Sequence, residues 1–369
     1  MIILGSTGSI GVNALHIAQE FGIQIEMLSA GSNITLLSQQ IKQFQPRIVV
    51  IKDSTHIPAL QSQHKNVEYF DSGESGLLRA LEHTHSPLAL NAIVGFAGLK
   101  PTLKILEMGK TLALANKESL VIGGQWVDVS RIIPVDSEHF SLYYLQHNQP
   151  FRELILTASG GALRDTPIEY LHSQNAKEAL KHPNWAMGKK ITIDSATMMN
   201  KIFEVLEAFW LFKTSHIHAF IERNSIVHAL VGFYDGSFTA HIAKNDMRLP
   251  IAYAMLGKKA LQTPCNQAKE LFKPINLCSL NAFKFEEIDI QRYPLWSLKD
   301  TLLKKPSLGV VVNAANEVAV EKFLNHQICF GEIESYIQRA IQHFPDGALT
   351  FDEIEYLDSE VRTFLSYSS

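Results

Sequence analysis

Between Asp194 and Ala208 the sequence DSATMMNKIFEVLEA carries an amide, an ammonium and carboxylates at helical spacing. At about 3.6 residues per turn, Met198, Met199, Ile202, Val205, Leu206 and Phe209 form an apolar stripe, with Thr197, Asn200, Lys201, Glu204 and Glu207 opposite. Asp194 or Ser195 is placed to cap the start, since a side-chain oxygen there can accept a free first-turn N–H. A helix start of that kind also favours an anion. An ordinary amphipathic helix with a solvated face would share this pattern, so its neighbours in sequence carry the decision.

Those neighbours are informative. In IIPVDSEHF an extended chain would project Asp136 and Glu138 to one face and Ser137 to the other. Paired carboxylates repel unless a proton or cation separates them. Oxygen donors of this kind suit Mg²⁺ or Mn²⁺, and Glu204 is the natural third ligand. A surface Asp-x-Glu pair is the plain alternative, and no Cys or His cluster offers a zinc site. The run ELILTA ends in Ser159-Gly160-Gly161, whose amides and hydroxyl suit a phosphate, a simple glycine turn being the competing reading. KHPNWAMGKK, residues 181–190, sets Trp185 between Pro183 and Gly188. It reads as a flap that closes over substrate, or as a loop whose Trp is merely buried.

These groups need a scaffold, and the N-terminal third supplies the pattern for it. MIILGSTGSIG is a short apolar run, a glycine turn through Gly5, Gly8 and Gly11, and then a helical segment. That context brings a pyrophosphate against backbone N–H groups, although the spacing is GxxGxxG and not GxGxxG. The second apolar run, IQIEMLSA, ends in Ala30-Gly31-Ser32-Asn33 without the acid that would hold a ribose 2′-hydroxyl, which favours NADP over NAD. Further strand-like runs at Ile48–Ile51, Leu88–Val94 and Thr111–Ala115 alternate with helical patterns, so a parallel, doubly wound Rossmann-like sheet is expected. Asn116, Lys117 and Glu118 follow the last run, where cofactor and substrate meet in such sheets, and Asn116 could also cap the next helix.

Composition narrows the class. The chain has 369 residues, 46% apolar and 19% charged, which predicts a globular protein of two or three domains. A net charge of -4 argues against general nucleic-acid binding. No apolar run is long enough to span a bilayer, and Cys265, Cys278 and Cys329 are scattered like reduced cytosolic thiols. The expected division is 1–135 for nucleotide binding, 136–262 for an α/β catalytic domain with the flap, 263–290 as linker and 291–369 as a helical bundle. Within the bundle segment, GEIESYIQRAIQHF has a single apolar face, Asp352 is placed to cap DEIEYLDSEVRTFL, and no chemical constellation is visible.

Taken in order, GSTGSIG, ANKESLV, PVDSEH, SGG, HPNWAMGKK and DSATMMNKIFEVLEA resemble the 1-deoxy-D-xylulose 5-phosphate reductoisomerase family over almost the whole chain. The resemblance implies conversion of that sugar phosphate to 2-C-methyl-D-erythritol 4-phosphate with NADPH and Mg²⁺ or Mn²⁺, in non-mevalonate isoprenoid synthesis. It implies NADPH contacts at Thr7, Gly8, Ser9, Ile10, Gly31, Ser32, Asn33, Asn116, Glu118 and Gly188, and metal ligands at Asp136, Glu138 and Glu204. Substrate contacts fall on Lys117, Ser137, Glu138, Ser159, His182, Trp185, Ser195, Asn200, Lys201 and Glu204, with Ser159, Ser195, Asn200 and Lys201 on the phosphate. Catalytic roles fall on Lys117, Asp136, Glu138 and Glu204, and a cytoplasmic homodimer is implied. Ser32 stands where family members often carry Lys or Arg, which weakens the expected grip on the 2′-phosphate. The expected chemistry is cleavage and re-formation of a carbon–carbon bond (retro-aldol or 1,2-migration) assisted by the cation, followed by hydride transfer. A dehydrogenase of a small acid would need no converging carboxylates, and a nucleotide sensor would not oxidise NADPH.

Overall fold

The computed structural model describes residues 1–70, 73–146, 149–185, 187–262, 274–280 and 282–367. The chain forms two compact units. One comprises Met1–Asn116, Asp128–Phe140 and Asp246–Pro274, and the other Lys117–Val127, Ser141–Asn245 and Ile275–Ser369.

The first unit is built on seven parallel strands: β1 (Ile2–Leu4), β2 (Met27–Ala30), β3 (Ile48–Ile51), β4 (Glu68–Phe70), β5 (Leu88–Asn91), β6 (Thr111–Leu114) and β7 (Ile132–Pro134). Their order is β4-β3-β2-β1-β5-β6-β7, so the winding reverses between β1 and β5, the place where open α/β sheets bind ligands. Helices cover the sheet, and β1, β2 and β3 are buried along their whole length, hence runs that are apolar throughout except at Ser29. Ile3, Leu28, Val49, Leu90 and Ala113 share one core with Ile251, Ala252 and Met255 of helix Arg248–Leu256. The expected doubly wound sheet is present. Strand β2 is shorter than IQIEMLSA suggests; β4 (Glu68–Phe70, not fully buried) and β7 (Ile132–Pro134, ending in proline) lack the apolar run that marks the buried strands.

The second unit holds a mixed sheet of order β11-β10-β8-β9, from β8 (Glu153–Ala158), β9 (Ile217–Ile221), β10 (Val227–Gly232) and β11 (Phe238–Ile242). Strands β8 and β9 run parallel, while β10 is antiparallel to both β8 and β11. Helix Met199–Phe212 lays Val205 and Ala208 on this sheet's core and turns Ile202, Phe203 and Leu206 into a second core with the C-terminal helices. Helix Gly309–Leu324 lies at the centre of that second core, flanked by Glu332–His343 and Glu353–Ser366. The helical C-terminal region is therefore as expected. Asp352 does not cap: its side chain accepts no amide, and Glu353 instead accepts Leu349 N at 2.8 Å and Thr350 N at 2.9 Å. Of the segment expected as a linker, residues 263–273 and 281, Cys265 among them, lie outside the described residues.

Candidate active site

In the first unit the glycine turn is fixed by close packing. Gly5 sits at φ +78° with Ala92 O 2.7 Å from where a Cβ would stand, and a Cβ on Gly11 would meet Gly5 O at 2.4 Å. The amides of Gly5 and Ser6 donate to Ser29 O at 3.1 and 2.8 Å, and Ser6 Oγ donates to Gln40 Oε1 at 2.8 Å. Gly8 precedes helix Ser9–Glu20 and, like Ser9, is exposed, with Thr7 and Ile10 half-buried beside it. At the end of β2, Gly31 and Ser32 are exposed, and Asn33 caps helix Ile34–Phe44 through Leu36 N at 3.2 Å. Asn116 directly precedes Lys117, the N-cap residue of helix Glu118–Gly123. It is buried and donates to Ile93 O at 2.7 Å and Gly95 O at 3.0 Å, pinning the loop after β5.

Asp136 and Glu138 differ in conformation from the expected extended pair. Helix Ser137–Leu145 begins between them, and Asp136 Oδ1 accepts Glu138 N at 3.3 Å. Ser137 Oγ donates to Glu138 Oε2 at 2.7 Å, and Ser137 and Glu138 are half-buried. His139 Nδ1 lies 3.5 Å from Asp136 Oδ1.

The second unit corrects the reading of DSATMMNKIFEVLEA as one helix. Helix Lys189–Ala196 ends, Met198 takes a left-handed conformation at φ 68°, and Met199–Phe212 starts in a new direction. A buried non-glycine residue there stores strain of about 1–3 kcal/mol, held by the surrounding packing. Thr197 Oγ1, not Asp194 or Ser195, accepts the Met199 amide, at 3.3 Å. Ser195 Oγ donates to Ile191 O at 2.9 Å within its own helix.

The polar side of the second helix is not solvated. Lys201, Glu204 and Glu207 are all buried, as is Lys117. Lys117 Nζ donates to Glu204 Oε1 and to Asn200 Oδ1, both at 2.9 Å. Asn200 Nδ2 also donates to Glu204 Oε1, and Lys201 Nζ pairs with Glu204 Oε2. Removing Lys117, Lys201 and Glu204 from water is tolerated because these three pair with one another.

Around the Ser-Gly-Gly turn the hydrogen bonds fix a tautomer. His182 Nδ1 accepts Asn184 N at 3.2 Å and Trp185 N at 2.9 Å, so Nε2 carries the proton toward Ser159 Oγ at 3.0 Å. Ser159 Oγ also accepts Gly161 N at 3.1 Å, which leaves its own proton to be donated outward. Burial, with the Arg164 charge nearby, pulls His182 down to about 4, so the imidazole is neutral near neutrality. Gly161, at φ +72°, packs where a Cβ would stand 2.6 Å from Ser195 O. Trp185 is half-buried, its ring 6.2 Å from that of His228. Gly188 is exposed at the start of helix Lys189–Ala196.

Several contributors carry little or no signature in the sequence. Arg164 donates to Ser159 O at 2.7 Å and Arg223 O at 2.8 Å. Asn184 joins that second carbonyl at 2.8 Å, and Tyr293 Oη donates to Gly160 O at 2.8 Å from far along the chain. Burial pushes the Tyr293 phenol up to about 12. The only hint in sequence is the Arg in SGGALRD; nothing marks Tyr293.

Comparison with known proteins agrees with this arrangement. Residues 1–124 match the family model for 1-deoxy-D-xylulose 5-phosphate reductoisomerase, and 132–212 and 242–364 match its two C-terminal domain models. The chain belongs to the 1-deoxy-D-xylulose 5-phosphate reductoisomerase family. A Wolinella succinogenes member is 57% identical over 364 residues, covering 99% of both chains. A Helicobacter pylori (strain HPAG1) member is 52% identical over 368 residues, covering 98% of both. Among solved structures, a DOX-P reductoisomerase in complex with NADPH, fosmidomycin and magnesium superposes with a TM-score of 0.85 at 32% identity, covering 99% of this chain and 97% of that one. The Zymomonas mobilis enzyme in complex with NADPH gives 0.86 at 32% identity with the same coverage. The chain is thus an oxidoreductase and isomerase of isoprenoid-precursor synthesis.

Proposed function

We propose that this chain converts 1-deoxy-D-xylulose 5-phosphate to 2-C-methyl-D-erythritol 4-phosphate with NADPH and a divalent cation through the residues singled out above. The observation that carries the reading is the cluster of buried Lys117, Lys201 and Glu204 with half-buried Asn200, together with a Ser-Gly-Gly turn whose Ser159 hydroxyl accepts the Gly161 amide. Glu204 with Asp136 and Glu138 is an all-oxygen donor set that suits Mg²⁺ or Mn²⁺. Each Glu204 oxygen is held by a lysine ammonium, so a cation there would share the carboxylate with Lys117 and Lys201. When bound, the cation supplies Lewis-acid charge at the substrate oxygens and NADPH supplies the hydride.

The remaining roles fall to the chain itself. Ser159, Ser195, Asn200 and Lys201 would hold the phosphate, whose remote binding energy orients the reacting carbons. His182 keeps the Ser159 proton directed outward, and Lys117 would polarise a substrate oxygen or manage its proton. The 181–190 loop with Trp185 and Gly188 would exclude water, and Ser137 would contact substrate beside Glu138. The exposed residues Gly8 and Ser9, with Thr7 and Ile10, lie at the start of helix Ser9–Glu20, a position that suits a pyrophosphate. Gly31, Ser32 and Asn33 would face the 2′-phosphate, with Asn116 and Glu118 nearer the nicotinamide.

By task the chain divides into 1–135 for NADPH, 136–262 for chemistry, 263–290 as linker and 291–369 as a helical region. A homodimer is supported by the edge strand β11, where Phe238 is 50% and Ile242 is 39% exposed. No helix among the described residues is long and apolar enough to cross a membrane, and a cytoplasmic location follows the family. The test is the loss of NADPH absorbance on adding 1-deoxy-D-xylulose 5-phosphate, expected with Mg²⁺ and abolished by a chelator. Chelator-insensitive turnover would remove the cation from the mechanism.

A further inference from the structure

Helix Lys189–Ala196 is fastened by a buried ionic cluster in which only Glu118 has so far been given a role. Lys190 Nζ donates to Glu118 Oε1 at 3.1 Å and Asp194 Oδ2 at 2.9 Å, and lies 5.5 Å from the centre of the Phe203 ring. The second oxygen of Asp194, Oδ1, accepts Asn316 Nδ2 at 2.8 Å. Glu118, Asp194 and Asn316 are buried. These four groups come from three elements, Glu118–Gly123, Lys189–Ala196 and Gly309–Leu324, the last in the C-terminal region that looks purely structural in sequence. Burial pushes the Asp194 carboxyl up, whereas the two carboxylates hold the Lys190 ammonium charged against the opposing effect of its own burial.

A cluster like this is a poor way to gain stability, since apolar residues of similar volume often do as well or better. What it does fix is spacing. Glu118 follows Lys117, whose ammonium holds Glu204 and Asn200, and Asp194 precedes Ser195, against whose carbonyl Gly161 packs. Lys190 therefore bridges the residue next to the chemical cluster and the residue next to the phosphate serine. We propose that Lys190, Asp194 and Asn316 are positioning residues that hold the phosphate-binding serines at a set distance from the Lys117–Glu204 group. The proposal rests on the phosphate role given to Ser159 and Ser195 above. A misplacement of about 1 Å between anchor and reacting centre is enough to slow turnover about a hundredfold.

The experiment uses the full chain with NADPH and Mg²⁺, well below the melting temperature of every variant. Asn316→Leu is expected to lower kcat about 10- to 100-fold with KM for the sugar phosphate and NADPH affinity changed little. Asn316→Asp is expected to be equally slow at alkaline pH and to regain activity relative to wild type as pH falls, because the new carboxyl regains a donor for Asp194 on protonation. Lys190→Arg, which keeps the charge, should retain more kcat than Lys190→Met. A kcat within twofold of wild type for both Asn316 variants overturns the proposal. Ser195→Ala separates this from failure of the site reading: an unchanged KM there overturns the phosphate assignment, and the positioning role with it. An impaired Ser195→Ala beside a normal Asn316→Leu overturns the positioning role alone.

Discussion

The two units solve the burial problem in opposite ways. In the parallel-sheet unit, strands β1, β2 and β3 are almost wholly apolar, and the core stays stable through area removed from water. In the second unit, Lys117, Glu118, Asp194, Lys201, Glu204 and Glu207 are all buried, beside an apolar core at least as large. The first arrangement is inert within its strands, and its groups proposed for ligands, Asp136 and Glu138 included, sit at turns and strand ends. The second costs desolvation energy that only mutual pairing offsets, and it delivers charged groups in a dry, preformed geometry. Apolar strands and buried charge clusters thus carry different loads, so variants in β1–β3 and in the Lys117–Glu204 cluster should fail differently.

The sharpest test of that contrast is Glu204→Gln, expected to lower kcat about 10³-fold or more while NADPH binding persists. Loss of NADPH affinity with normal turnover would show the chemistry lies elsewhere. Next comes Ser159→Ala, which should cut kcat/KM about a hundredfold, mostly through KM, because one charge-assisted donor to the phosphate is gone. A change confined to melting temperature would return this turn to a structural role. In the parallel sheet, Leu28→Ala should cost about 2–5 kcal/mol in denaturant unfolding with kcat per folded molecule unchanged.

Two titrations sharpen the comparison further. Burial, reinforced by His228, pulls His241 down to about 4 from its ordinary 6.5. The folded protein then binds fewer protons than the unfolded chain, so this group's contribution is intact above about 6.5 and is lost as pH falls toward about 4. His241→Gln should flatten that acid loss in a melting series, and an unchanged slope would place it elsewhere. In the first unit, Glu26 would be raised by burial, but Arg47 and the His85 and Ser86 amides bring it to about 2 from 4.5. Its stabilisation is present above about 4.5 and fades toward about 2, so Glu26→Gln should lose about 1 kcal/mol at neutral pH, without effect on turnover.

How legible these features are in sequence depends on the type of signal. Runs such as Ile48–Ile51 and ELILTA fall on β3 and β8, because a strand buried on both faces must be apolar throughout. Strand β1, equally short, is fully buried and reads as an apolar run, whereas β4 carries an exposed Glu68 and β7 ends in Pro134. The residues of the motifs are readable, but their conformations are less so. PVDSEH turns into a helix at Ser137, and the break at Met198 cannot be read from a stripe that continues smoothly across it. The same blindness applies to Asn116, whose amide holds the loop after β5, a partner more than twenty residues away.

Local composition and order were enough to determine the parallel sheet, the glycine turn, the helical C-terminal region and the family, since all four are written in short-range periodicity or contiguous motifs. Tertiary structure alone decided that the polar face of Met199–Phe212 is buried, that Ser159 Oγ accepts the Gly161 amide, and that Asn316 reaches Asp194. The physical reason is that a charged side chain looks the same in sequence whether water or a lysine compensates it. Which of the two does so depends on residues such as Lys117 and Asn316, brought to Glu204 and Asp194 from 87 and 122 positions away.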